Sequence, residues 1–154
     1  MAKEDAADLL RFLDPYPTLV QQDVLWLRDF VWDRYPISNE LIYDNYNALS
    51  FGWSPTDRAG HVFCSISVWR LNHAIHFGFY WGSQIADPQH MLIGQGAQYR
   101  YILVKSIADF PAAYMEQLLT DAYGNSLAKV KDKKQLKEGL TITKAISPKK
   151  RAKK

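Results

Sequence analysis

Histidine, cysteine and clustered carboxylates are the side chains best able to hold a metal or move a proton, and this sequence has four His and one Cys. His73 and His76 are three apart in a run that reads as extended chain, where alternate side chains point to opposite faces, so they cannot clamp one ion together. No His-x-x-x-His pair puts two ligands on one helical turn, and a two-His site would have to be assembled by the fold. Asp29 and Asp33 sit one turn apart on a predicted helix, with Glu4, Asp5 and Asp8 on the helix before it. That pattern suits weak binding of a hard cation such as ferrous iron or magnesium, or a solvated face with Arg28 and Arg34 as charge partners. Cys64 alternates with Val62, Ile66 and Val68, so the expectation is a buried, unreactive thiol. No Gly-x-Ser-x-Gly elbow is present, and Gly94-Gln95-Gly96 precedes a strand where a phosphate loop would lead into a helix. A turn needing positive φ explains those glycines. Arg100 is the only Lys or Arg between Arg70 and Lys105, placed to bind a small anion, stack on a ring, or pair with Asp87 or Asp44. No general acid–base pair emerges, so the expectation is a domain without catalytic residues and without a cofactor.

The elements that must position these groups follow from periodicity. Glu4–Leu13 predicts a short helix, broken by Asp14-Pro15-Tyr16-Pro17. Val20, Val24, Leu27, Val31 and Tyr35 form the apolar stripe of a second helix beginning at Thr18 and stopped by Pro36. The period then changes. Leu41–Leu49 and Ser50–Trp53 read as one or two strands, Val62–Trp69 and Ile75–Tyr80 as a hairpin across Arg70–His73, and Gln98–Lys105 as another strand. A last helix begins near Pro111 and stops at Gly124-Asn125. Helices flanking a block of strands indicate an α+β domain of two layers, an antiparallel sheet packed against N-terminal and C-terminal helices.

Charge divides the chain. The formal net charge is +3, yet Lys129–Lys154 carries eleven Lys or Arg against two acids while residues 1–128 carry a net −6. The expectation is a folded domain over 1–128 and a basic, mostly mobile tail over 129–154 with no aromatic residue, with room for a short helix through Leu127–Leu136 and for weak docking of Leu140–Ile146. Lys149, Lys150, Arg151, Lys153 and Lys154 at its end are candidates for contact with nucleic acid or another polyanion, or simply solubilise the chain. A single Cys, the lack of a leader-like start and the lack of any run near the ~20 apolar residues of a membrane span give the expectation of a cytoplasmic protein that does not enter membranes.

Twenty-one aromatic residues, 14% of the chain, fall on both faces of the predicted strands, more than one core face requires. The surplus points to a shallow site for a small anionic or aromatic ligand on the exposed sheet face or its rim, near the Gly-rich turn, lined by Tyr46, Trp53, His76, Tyr80 and Arg100. The alternative is that a second layer or the partner of a homodimer covers that face.

One stretch carries a family likeness. Gly78-Phe79-Tyr80, Gly82 to Ile85, Asp87-Pro88, Leu92 to Gly96 and Arg100, preceded by Tyr43–Ala48, make the region from about 19 to 125 resemble the YdhG-like domain-of-unknown-function family. The resemblance implies a small α+β domain, bacterial and cytoplasmic, without an established enzymatic activity. One branch of that family is described as a frataxin-like intracellular iron chaperone, which implies iron carried on acidic helices. Related sequences place Lys after the second glycine and His after the Arg, where this chain has Ala97 and Tyr101.

Overall fold

Alternating apolar residues build the sheet. The computed structural model of the chain describes residues 3–147. Its strands are β1 (Asn39–Asn45), β2 (Ala48–Ser54), β3 (Cys64–Trp69), β4 (Ile75–Phe79), β5 (Arg100–Leu103) and β6 (Thr141–Ser147), in one sheet of order β5-β4-β3-β2-β1-β6. Strands β1 to β5 are joined antiparallel, and β6 lies parallel to β1 with a register shift between Ile42 and Tyr43. The sheet is therefore mixed, one parallel edge strand having been added to the expected antiparallel meander.

Registered pairs give the sheet two distinct faces. Ile42, Phe51, Ile66, Phe77 and Ile102 lie in one cross-strand row, with Trp53, Cys64 and Phe79 in the row beside it. All eight are buried. Against them pack α1 (Ala7–Leu13), α2 (Thr18–Arg34) and α3 (Ala112–Lys129). Leu9 and Leu13 come from α1, Val24, Leu27, Phe30 and Val31 from α2, and Met115, Leu118, Leu119 and Ala122 from α3. Phe30 meets Phe77 and Phe110 edge-on, with ring centroids 6.2 and 5.2 Å away, geometries favoured by the ring quadrupoles. The helices share one side of the sheet, and the α+β two-layer architecture holds.

Arg28 departs from its expected place on a solvated helix face. It occupies the buried stripe between Val24 and Val31 and donates to both carboxylate oxygens of Glu40 on β1, at 2.8 and 2.9 Å. Thr141 of β6 donates to the same carboxylate at 3.1 Å. A charge buried this deeply is tolerated because its partner and further donors satisfy it.

Two other boundaries move. Helix α3 continues through Gly124-Asn125 to Lys129, because its last turn is held from outside: Asn125 donates to the Gln84 carbonyl at 3.1 Å, Ser126 to the His61 carbonyl, and the Lys129 ammonium lies 4.4 Å from the Trp81 ring centroid. Within the region expected to be mostly mobile, the segment expected to dock weakly forms the edge strand β6, Thr141–Ser147. Lys137 donates its backbone N–H to Pro55 and Gly139 to Ser38, and Gly139 has φ +68°. Asn39 then grips the chain from both sides, donating to the Lys137 carbonyl at 2.7 Å and accepting from the Leu140 N–H at 3.2 Å. The alternating Thr141-Ile142-Thr143 run enters the sheet directly after.

Candidate functional site

The face of the sheet away from the helices is the candidate site. The intervening positions of the strands point there: Tyr43 on β1, Ser50 and Gly52 on β2, Ser65, Ser67 and Trp69 on β3, His76 and Gly78 on β4, and Tyr101 on β5. Small hydroxyl residues occupy the centre, where Ser50 and Ser67 hydrogen-bond across β2 and β3 at 2.9 Å. Rings occupy the flank.

Those rings form a continuous ladder. Trp69 and His76 lie 5.7 Å apart, His76 stacks on Tyr101 at 4.2 Å and 7°, Tyr101 on Tyr99 at 5.7 Å and 21°, and Tyr99 meets Tyr80 at 5.4 Å. Gly78 makes the ladder possible, since a Cβ there would overlap the Tyr99 ring lying across the strand. Loss of solvation holds His76 below the usual histidine value and pushes the Tyr99 phenol up to about 12. It raises Tyr43 and Tyr80 as well. At ordinary pH these phenols are neutral donors and acceptors.

Beside the ladder the face sinks into a pocket of ≈ 310 Å³ lined by Tyr43, Ser50, Gly52, Val62, Ser65 and Tyr80. Gly52 makes room on the floor, where a Cβ would stand 2.8 Å from Val62 and 2.9 Å from the Cys64 carbonyl. The buried Ser65 hydroxyl stands against the Tyr80 and Tyr99 phenols, and hydrogen bonding to it partly offsets the rise that burial gives them. A hydroxyl in a pocket wall can both donate to and accept from a polar ligand atom. The lining holds no Lys, Arg, Asp or Glu.

Of the five residues expected to line a site, Tyr80 lines the pocket and His76 is on the same face in the ladder. Trp53 is corrected: it pairs with Cys64 on the helix side, fully buried, 6.1 Å edge-on from Trp32. The alternation Phe51-Gly52-Trp53 fixes that, because a residue two from Phe51 must share its face. Arg100 lies at the rim, beside the Gly94–Gly96 turn and outside the pocket lining. It pairs with Phe79 at the sheet edge, its aliphatic chain covers Gly82, and its Nε donates to the Gly96 carbonyl at 3.1 Å. Neither Asp44 nor Asp87 pairs with it: Arg70 takes Asp44, and Asp87 accepts from the Tyr114 hydroxyl and from the N–H groups of Met91 and Leu92. Tyr46 is an exposed residue of the β1–β2 turn, outside the pocket lining.

Gly82, Asp87, Gly94, Gly96 and Arg100 fold the chain from β4 to β5 on itself, with Gly94 at φ +116° and paired N–H and carbonyl groups between Ile93 and Tyr101. Sequence reasoning missed Tyr43, Ser50, Ser65 and Tyr99 as a group. The available signal was the serine at every second position of β3 opposite the apolar row, Ser65 and Ser67.

Other candidates sit elsewhere. Cys64 is buried and its thiol is pushed well above the ordinary value by desolvation. His73 lies in the β3–β4 turn with φ +58°, its ring 5.9 Å from Tyr16, while His76 faces Tyr101, so the two imidazoles are turned to different surroundings. Asp33 pairs with Lys3 at 2.6 Å, and Asp29 lines the shallow surface beside it. Among the described residues no group of three or more His, Cys, Asp or Glu is arranged to hold a metal ion, and no helix is long and apolar enough to cross a membrane. Lys149, Lys150, Arg151, Lys153 and Lys154 lie outside the described residues. Comparison of the chain with protein-family models, with curated proteins and with solved structures found no match.

Proposed function

We propose that this domain is a non-catalytic binding module that takes up a small planar aromatic molecule in the Tyr43–Tyr80 pocket. The observation that carries this reading is the pocket itself, sunk into the helix-free face, walled by two phenols and with the Ser65 hydroxyl in its lining. Its ≈ 310 Å³ is at the lower end of the range for small-molecule sites, enough for one or two fused rings. The Tyr80–Tyr99–Tyr101–His76 ladder braces one wall, so little side-chain entropy is left to lose on binding. A lining without charge favours a neutral ring over the free small anion that Arg100 suggested.

Titration of intrinsic fluorescence with 1-naphthol or indole tests the proposal. Saturable binding is expected, lost in Tyr80→Ala and in Ala59→Trp, which places a bulky ring at the exposed rim of the pocket. Binding that persists in both folded variants, or that tracks Arg100→Ala instead, refutes it. A concentration-dependent dimer whose interface covers Tyr43 and Tyr80 also refutes it, and supports the sheet face as a homodimer surface.

A second reading rests on charge. The five cations of residues 149–154 follow directly on β6, whose Ser147 pairs with Asn45 at the end of the sheet. Association with nucleic acid through this run predicts affinity that falls steeply with salt.

A further inference from the structure

A second concavity adjoins the aromatic pocket. It is lined by Asp57, Arg58, Ala59, Gly60, His61 and Lys144, has a volume of ≈ 570 Å³, and shares Ala59 with the Tyr43–Tyr80 pocket. Its chemistry is the opposite of its neighbour's. Arg58 and Lys144 are exposed and make no ion pair with any described residue, and Asp57 is the only acid in the lining. His61 uses Nδ1 against the Thr56 hydroxyl at 2.8 Å, which leaves Nε2 without a partner among the described residues.

The loop that presents these groups is built rigidly. Ser54 and Thr56 are fully buried. Thr56 donates its N–H to the Ser54 hydroxyl at 3.1 Å, Ser54 donates to the Arg58 carbonyl at 3.2 Å, and Arg58 donates its N–H to the Thr56 hydroxyl at 3.1 Å. Ser126 of α3 holds the His61 carbonyl from the other side. Lys144 comes from β6, the strand pinned to β1. Such a frame fixes the backbone from which Arg58 and Lys144 reach over the hollow, and the His61 ring beside them, so that three cationic or donor groups border one space.

We infer that the ligand is a conjugate, a planar aromatic group joined through a short link to an anionic group such as a phosphate, with the ring in the Tyr43–Tyr80 pocket and the anion among Arg58, His61 and Lys144. The inference rests on the binding function proposed above and assigns its ligand class. It also explains the position of the strand from the basic C-terminal region, which brings one of its lysines to the rim of the site and not merely to the edge of the sheet.

The test compares 1-naphthyl phosphate, 1-naphthol and inorganic phosphate by calorimetry on the full chain. 1-Naphthyl phosphate is expected to bind at least about tenfold more tightly than 1-naphthol, as charge-assisted contacts from two cations provide. The double variant Arg58→Ala, Lys144→Ala should abolish that advantage while leaving 1-naphthol binding unchanged. Both side chains are exposed, and an unaltered amide NMR spectrum outside residues 57–61 and 142–146 shows that the variant is folded. Equal affinities of the two naphthyl probes overturn the inference and leave the aromatic pocket standing. Phosphate bound at Arg58 and Lys144 with no gain from the attached ring overturns it as well, because the hollows are then separate. Failure of both naphthyl probes to bind overturns the inference and the pocket together.

Discussion

His76 is a ring held between two others, stacked on Tyr101 and tilted against Trp69, and its loss of solvation disfavours the charged form. Its folded value lies below 6.5, so the unfolded chain binds the proton first as pH falls. The stability it contributes is complete above pH 6.5 and is lost as pH falls through the folded value. His76→Phe keeps the stack and removes the proton, so thermal denaturation between pH 4 and 7 should show a shallower acid slope in the variant. An identical slope would place the sensitivity elsewhere. Trp53 and Tyr80 test the correction of faces directly. Trp53→Ala should cost about 3–5 kcal/mol in urea denaturation, the usual result of emptying a buried aromatic site. Tyr80→Ala should cost distinctly less and act chiefly on binding. A reversal of that order would mean that the two faces have been exchanged.

Elements show which parts of the fold were written locally. The second helix, the β3–β4 hairpin and the strand parity around Cys64 were legible because each depends on the spacing of its own apolar residues. The extra turns of α3 and the parallel pairing of β6 with β1 were not, because partners far along the chain decide them. Gly124-Asn125 stops an isolated helix, and here Gln84, His61 and Trp81 keep it going. The lysines on either side of β6 hid a β-branched run that becomes a strand where Asn39 and Glu40 receive it. Arg28 was misplaced for a related reason: charge was given more weight than its spacing from Val24 and Val31. Asn39→Ala leaves the Lys137 carbonyl and the Leu140 N–H without their partner, and should cost about 1–3 kcal/mol. Hydrogen exchange should then show residues 140–147 losing protection first. Glu40→Ala, which strands the buried guanidinium, should cost more, about 3–5 kcal/mol. Variants as stable as the parent would show that β6 is docked without these contacts.

Across the whole molecule, the two-layer architecture leaves one face of a six-stranded sheet to rings and hydroxyls. The division of charge takes on a different meaning once β6 is part of the sheet. Truncation after Ala128 removes an edge strand along with the cations, so it cannot isolate their role. Truncation after Ser147 removes five cations and keeps the sheet. If the run contacts polyanions, that shorter chain should lose salt-sensitive binding to single-stranded DNA while keeping its denaturation midpoint. Unchanged binding would dismiss the run as a contact. The account depends most on the pocket in the helix-free face, and amide and aromatic NMR shifts recorded during titration with indole test it most directly. Shifts concentrated at Tyr43, Ser50, Ser65 and Tyr80, with Trp53 and the loop around Arg100 unmoved, are the predicted result. Shifts gathered at the Arg100 loop, or none anywhere at millimolar indole, would contradict it.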